Sequence, residues 1–355
     1  MEEIRLPKNP LSLQLKAEDF LPAGREEKRQ LTVMRESTTF WRDAMKRLLS
    51  NKIAMTAFAV IVLVMIFAFV MPSFYPYQYD QQIRGSEYLH PMQYSEKEMK
   101  TVGAGGSVFP HFLGTDMHGR DMVIRLMMGS RVSLLVGLIA SVLVLLIGTI
   151  YGSIAGYFGG AVDLVMMRIV DIIYSVPDML TIILLQVTLK QPLNNLFDAN
   201  PSLGWMRALG APMVSIFITF SLLYWVGMAR IVRGQIMSLK EQEFVTAARA
   251  LGASSSRIIA RHLIPNCISV LIVTTTLQIP AAIFTEAFLS FLGLGVMSPM
   301  ASLGSLASDA LGAINSYTYL LLAPSIMISL IILSFNLFGD GLRDAFDPKL
   351  KENKK

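Results

Sequence analysis

Five stretches of the chain lack Asp, Glu, Lys and Arg over a length near twenty residues: Ile53 to Met71, Val132 to Val162, Ala208 to Ala229, Leu263 to Thr285 and Ala310 to Gly339. A sixth, Ile169 to Leu189, is apolar apart from Asp171 and Asp178. A helix rises 1.5 Å per residue, so about 20 residues cross a hydrocarbon layer of ~30 Å. The pattern predicts six transmembrane helices with both termini on one side. Phe40, Trp41, Ala44, Met45, Leu48 and Leu49 recur at helical spacing ahead of the first span, with Arg42, Lys46 and Arg47 off that face. This predicts an interfacial helix over about 40–50, with an ordinary cytosolic helix as the alternative. The first span lies too far into the chain for an ordinary cleaved signal peptide.

Composition agrees with the pattern. Of 355 residues, 53% are hydrophobic and 16% charged, with a mean hydropathy of +0.51, against about 25% charged in soluble domains. The single cysteine, Cys267, excludes an intramolecular disulfide. The net charge of +5 suggests nucleic acid until its distribution is considered. With the N-terminus inside, 23 of the 31 Lys and Arg fall in cytoplasmic segments and 8 outside. The positive-inside rule therefore predicts N-in, C-in and accounts for the basic balance without nucleic acid.

The segments divide as a cytoplasmic tail (1–52), a first span (53–71), an extracytoplasmic loop (72–131), five further spans (132–342) and a cytoplasmic tail (343–355). In the external loop His111, His118, Asp116 and Asp121 bring metal chemistry to mind, but their spacing matches no metal motif. An ordered turn before the second span is the favoured reading. Gly148, Gly152 and Gly156, four apart, leave a helix face open to close packing. Pro177, Pro280 and Pro324 interrupt backbone bonding within spans and are expected to kink them. Asp178, about ten residues beyond Arg168, is expected near mid-membrane, where a charge costs at least ~2.5 kcal/mol unless it meets a partner, a cavity or water. A place in the translocation pathway and a helix-bonded or protonated carboxyl are both open for it. Glu286, near the outer end of the fifth span, either lines an outer vestibule or makes a structural hydrogen bond. Arg168 and Asp171, three apart, are expected to pair.

The segment between the fourth and fifth spans, 230–265, is the most informative. Phe244, Ala248 and Leu251 are spaced as one helical face, Gly252 supplies a helix end, and Ser254 or Ser255 caps a second short helix. Small residues at Ala247, Ala248, Gly252 and Ala253 admit close approach by another protein. A DNA-binding helix-turn-helix shares parts of this pattern, but the second helix runs directly into Pro265 and the fifth span, leaving no domain to enter a groove.

Glu243-Phe-Val-Thr-Ala-Ala-Arg-Ala-Leu-Gly252, continuing to Pro265, resembles the EAA loop of bacterial ABC importer permeases, with Thr246 in place of the usual Glu. His111 to Asp121, Arg131 to Gly137, Glu286 to Gly295 and Phe335 to Pro348 add motifs similar to those of the C-type permease of oligopeptide and dipeptide importers. The resemblance covers roughly Phe40 to Leu350. It implies an all-α membrane protein of the type I importer (MetI-like) permease fold, multi-pass in a bacterial cell membrane. The expected partners are a homologous B-type permease, two cytoplasmic ATPase subunits, an extracytoplasmic solute-binding protein and a peptide substrate. Coupling to the ATPases would fall on Glu243, Phe244, Ala247, Ala248, Arg249, Leu251, Gly252, Ala253, Arg257 and Pro265. The chain contains no Gly-x-x-x-x-Gly-Lys-Ser/Thr, so ATP and Mg are expected on the partners, with no cofactor, metal or catalytic residue here. Nickel complexes or another small solute are the alternative cargo within the family, and a solitary secondary transporter or, further off, an intramembrane hydrolase outside it.

Overall fold

The computed structural model describes residues 40–296 and 300–346; most of the two expected tails, before Phe40 and after Phe346, lies outside them. The chain divides into two compact units, residues 1–46 and 47–355. The described part of the first is helical and opens α1 (Phe40–Ser50). Its Phe40 and Trp41 rings meet edge to face at 5.8 Å and are both exposed.

In the second unit the Asn51 carboxamide oxygen caps α2 (Lys52–Phe69) by accepting the Ala54 N–H. A loop carrying the short helix α3 (Glu96–Gly103) leads to α4 (Met122–Phe158). Next come α5 (Gly160–Ser175) and α6 (Asp178–Ala199), then α7 (Ala211–Leu223) and α8 (Trp225–Leu239). Two short helices, α9 (Glu243–Ala250) and α10 (Ser255–Ile258), precede a π turn, a 3-10 turn and α11 (Ile268–Phe291). The short α12 (Leu303–Ala310) and α13 (Tyr319–Phe346) complete the order. Among the described residues there is no strand, only an isolated bridge between Thr115 and Asp121.

Five helical stretches are long and apolar enough to cross a membrane: Lys52–Ser73, Met122–Phe158, Ala211–Leu239, Ser255–Phe291 and Tyr319–Phe346. The sixth expected span, Ile169 to Leu189, is not one helix: α5 and α6 meet at 84° across Val176 and Pro177. Pro177 takes φ −57° and ψ 117°, outside the helical region, so the segment breaks where a kink was expected.

Other boundaries move because charges are absorbed into helices. The second span begins ten residues before Val132, since the Asp121 carboxylate caps α4 through the N–H groups of Val123 and Ile124 at 2.9 and 3.1 Å. Arg125 then pairs with Asp116 and Asp309. Arg131 donates to the carbonyls of Ala68 and Phe69, closing the end of α2. The fourth span starts at Ala211 and runs beyond Ala229 to Leu239, its Arg233 paired with Asp163 and Lys240 bonded to the Gly156 carbonyl at 3.0 Å. The last span begins at Tyr319 rather than Ala310 because Ala310 closes α12 and a 3-10 turn (Leu311–Ala313) with further turn residues follows it.

α4 is the axis of the unit, packed against α2, α7, α8 and α11. A β-carbon added at Gly148 would lie 2.6 Å from that of Met228, one at Gly156 2.8 Å from the Arg233 carbonyl, and one at Gly152 within contact distance of the Ala229 carbonyl. Glycine therefore sets how closely α4 and α8 approach. Leu138, Leu146, Ile150, Leu180 and Leu184 point outward, a surface suited to lipid rather than water.

Candidate functional site

α9 ends in a backbone arrangement that requires glycine. The Ala253 N–H donates to the Ala248 carbonyl at 3.1 Å and the Gly252 N–H to that of Arg249 at 2.9 Å, the two bonds of a Schellman motif. Gly252 sits at φ +81°, a region that costs residues with a β-carbon. Ser254 is the extended N-cap residue of α10, though its side chain makes no capping bond.

Val245, Ala248, Ile258, Leu263 and Cys267 pack with Val144, Met228, Val232 and Ile236. This corrects the expected face of Phe244, Ala248 and Leu251. Ala248 turns inward with Val245, whereas Phe244 is 40% and Leu251 89% exposed. The helix is rotated about its axis because Val245 fills the space offered by α4 and α8, and Leu251 already lies past the last helical turn. Glu243, Ala247, Arg249, Gly252, Arg257 and Pro265 are exposed and Ala253 half-buried. The result is a rigid hairpin whose inner face is locked to the bundle and whose outer face offers two large apolar side chains between arginines.

The break between α5 and α6 opens a cavity of about 460 Å³, walled by the last turn of α5, the start of α6 and the α7–α8 junction at Tyr224. Asp178 lines it at the first position of α6 and is exposed. Its place is set by the bend rather than by distance along a straight helix from Arg168. The expected Arg168–Asp171 pair does not form; Asp171 instead takes Arg230 of α8 at 2.9 Å, with that guanidinium 4.2 Å over the Tyr174 ring.

Glu286 departs from the vestibule expectation. It is fully buried, accepting bonds at 2.7 Å from Ser133 of α4 and from Ser290 one turn on. Ser133 Oγ also accepts the Leu303 N–H at 3.3 Å, and Ser290 Oγ that of Val296 at 3.0 Å. The carboxylate thus knits α4, α11 and α12 together, the structural hydrogen bond that was the other expectation for it.

Residues 148–352, spanning the break, the hairpin and the last span, match the family described as binding-protein-dependent transport system inner membrane component. The chain belongs to this family. Residues 39–91 match a second description, the N-terminal TM domain of oligopeptide transport permease C. The chain is 41% identical to the oligopeptide transport system permease protein OppC of Bacillus subtilis (strain 168), over 94% of this chain and 97% of that protein. It is 38% identical to the dipeptide transport system permease protein DppC of the same strain, over 94% of each. The oligopeptide permease OppC of Escherichia coli (strain K12) is 38% identical over 88% of this chain and 93% of its own length. The protein is accordingly a transport permease with an all-helical MetI-like fold.

This permease carries one structured element whose internal bonding was not legible in its sequence. The segment between α2 and α4 folds into a cap around His111, whose Nδ1 lies 2.8 Å from Asp121 and Nε2 3.2 Å from Glu98. The Tyr77 ring stacks on His111 at 4.6 Å, and Tyr75 bonds Asp121 at 3.2 Å. Burial works against charge on His111, but hydrogen bonds and charges from Asp121 and Glu98 outweigh it and raise its pKa above 6.5. Burial likewise opposes the charge of Glu98, yet bonds from Ser95 and His111 hold it below 4.5. Asp116, also buried, is held below 3.8 by the Arg125 charge and by the N–H groups of Arg120 and His118.

His118 stands outside the His111 cluster, and Asp116 is engaged by Arg120 at 2.7 Å and by Arg125. Among the described residues no three His, Cys, Asp or Glu are grouped to hold a metal ion. The signal available in advance was the capping pattern Ser95-x-x-Glu98, whose reciprocal bonds start α3.

Proposed function

We propose that this permease is the C-type subunit of an ATP-driven importer of oligopeptides or dipeptides in a bacterial cell membrane, with both termini in the cytoplasm. It pairs with a homologous B-type permease, receives peptide from an extracytoplasmic solute-binding protein and is driven by two ATPase subunits that hold ATP and Mg. The carrying observation is the 243–258 hairpin. Its buried side is continuous with α4 and α8, so a force on its exposed side moves membrane helices, whereas an independently hinged loop would absorb that force. Phe244 and Leu251 are the apolar anchors for an ATPase groove, with Arg249 and Arg257 beside them. ATP-driven closure of the ATPases then shifts the permease pair between outward and inward openings. The peptide assignment follows the printed names of the relatives, which span both oligopeptide and dipeptide systems.

The test is purification of the tagged chain from its native membranes in mild detergent, with co-purifying subunits identified and counted by mass spectrometry. A second permease and two ATPase copies are the expected result. A chain recovered alone, under conditions that keep other membrane complexes intact, would replace this reading with a solitary transporter.

A further inference from the structure

We propose that the cavity at the α5–α6 break is a cation subsite of the transport pathway, with Asp178 as the charged group that receives the ammonium of a passing peptide. The proposal rests on the peptide-importer reading and adds to it a place and a polarity.

The cavity's volume, about 460 Å³, lies within the range of small-molecule sites. Among the described residues Asp178 is the only charged one in its lining. One carboxylate oxygen accepts the Met179 N–H at 2.9 Å, and among the described residues the other accepts nothing. A carboxylate has about four acceptor positions, so most of its capacity faces the cavity. Ile173, Tyr174 and Ser175, the last turn of α5, form another part of the wall. The final carbonyls of a helix have no further turn to bond and carry its negative dipole end. Their sign adds to that of Asp178, and the positive end of α6, at whose first position Asp178 stands, offsets only part of the sum because the carboxylate carries a full charge.

The neighbouring cation does not cancel this field. Arg230 stacks on Tyr174 but directs its guanidinium to Asp171 at 2.9 Å, so it is not paired with Asp178. A divalent metal is a poorer occupant, since hard cations gather six or more oxygens including several carboxylates or waters. A single carboxylate beside carbonyls and apolar walls from Leu223 and Val226 suits an organic ammonium attached to a less polar body.

The experiment uses the assembled complex in liposomes, with a cysteine placed in the cavity wall as Ser175→Cys and, separately, Thr181→Cys. The sole native cysteine, Cys267, is buried, which keeps background labelling low. The reporter is modified with a trimethylammonium-ethyl or a sulfonatoethyl methanethiosulfonate, each rate divided by that for a small free thiol. The expected result is a preference of about five- to tenfold for the cationic reagent at both positions, kept by Asp178→Glu and abolished by Asp178→Asn. A tripeptide with a free amine should slow the cationic reagent, and its N-acetylated form should not.

Equal rates for the two reagents at both positions would overturn the subsite even if Asp178→Asn failed to assemble, because that comparison needs only the native carboxylate. A preference that survives Asp178→Asn in an assembled complex would overturn the assignment to Asp178. Peptide uptake by the unmodified complex is measured first. Its absence would count against the peptide reading, whereas uptake without cation preference would count against the subsite alone.

Discussion

At Gly252 a single residue serves two demands. Its φ of +81° closes the Schellman turn, and an added β-carbon would meet nothing within 4 Å among the described residues, so the space it leaves is open to a docking partner. Gly252→Asp is expected to reduce uptake at least tenfold with normal membrane abundance, checked by transport assays alongside quantitative blotting. Normal uptake would refute the docking role. Gly252→Ala separates the two demands: it carries a backbone cost of about 1–2 kcal/mol but little bulk, so partial activity is expected. Glu286 makes the opposite case. Glu286→Ala removes the acceptor shared by Ser133 and Ser290 and leaves a void, at a cost of about 2–4 kcal/mol. The expected readout is a lowered melting temperature of the purified protein with an unchanged order of substrate preference. A changed preference at unchanged stability would return Glu286 to the pathway. The turn at Gly252 was legible in sequence because every bond that defines it lies within six residues. The seating of Glu286 was not, because Ser133 stands 153 positions away.

Helices carry the same contrast between local and distant information. Their existence was legible from charge-free runs, but their ends were not, because Arg125, Arg131 and Arg233 enter helices once Asp116, the α2 carbonyls and Asp163 receive them. Pro177 marked an irregularity without fixing its size; the 84° bend depends on what α5 and α6 pack against. Phe244 and Leu251 show the same limit, since periodicity finds an apolar stripe and only the neighbours α4 and α8 decide which edge of it is buried. Where a pattern is both local and packed, an element-scale prediction follows. Gly152 brings α4 against the Ala229 backbone of α8, and backbone cannot yield as a flexible side chain can. Gly152→Leu is expected to cost at least the ~1–3 kcal/mol of ordinary overpacking, seen as loss of folded protein in size-exclusion profiles after mild heating. Gly234→Leu, at a site on α8 with open space around it, should leave the profile unchanged. Equal effects of the two would remove the close-packing argument.

Across the whole molecule, the cap ties together elements far apart in sequence. Tyr319 at the start of α13 donates to the Leu89 carbonyl at 2.6 Å, and Arg125 joins Asp116 of the cap to Asp309 of α12. Titration within the cap is therefore felt by α4, α12 and α13. His111 has a raised pKa in the folded state, so its contribution is complete below the unfolded value of about 6.5 and is lost as pH rises through the folded one. Glu98 and Asp116 have lowered values. Their contributions are complete above about 4.5 and 3.8 respectively and are lost as pH falls through the folded values. The signs place the stability maximum between about pH 4.5 and 6.5, with a decline on each side. Thermal unfolding of the purified permease across that interval and about two units beyond it measures the curve. His111→Gln cannot take up a proton, so it should lower stability most at the acid side of neutrality and flatten the alkaline decline; the acid decline shrinks by the part of the Glu98 contribution that His111 supplies and keeps that of Asp116. An alkaline decline as steep in that variant as in the unmodified protein would show that the His111 cluster is not its source.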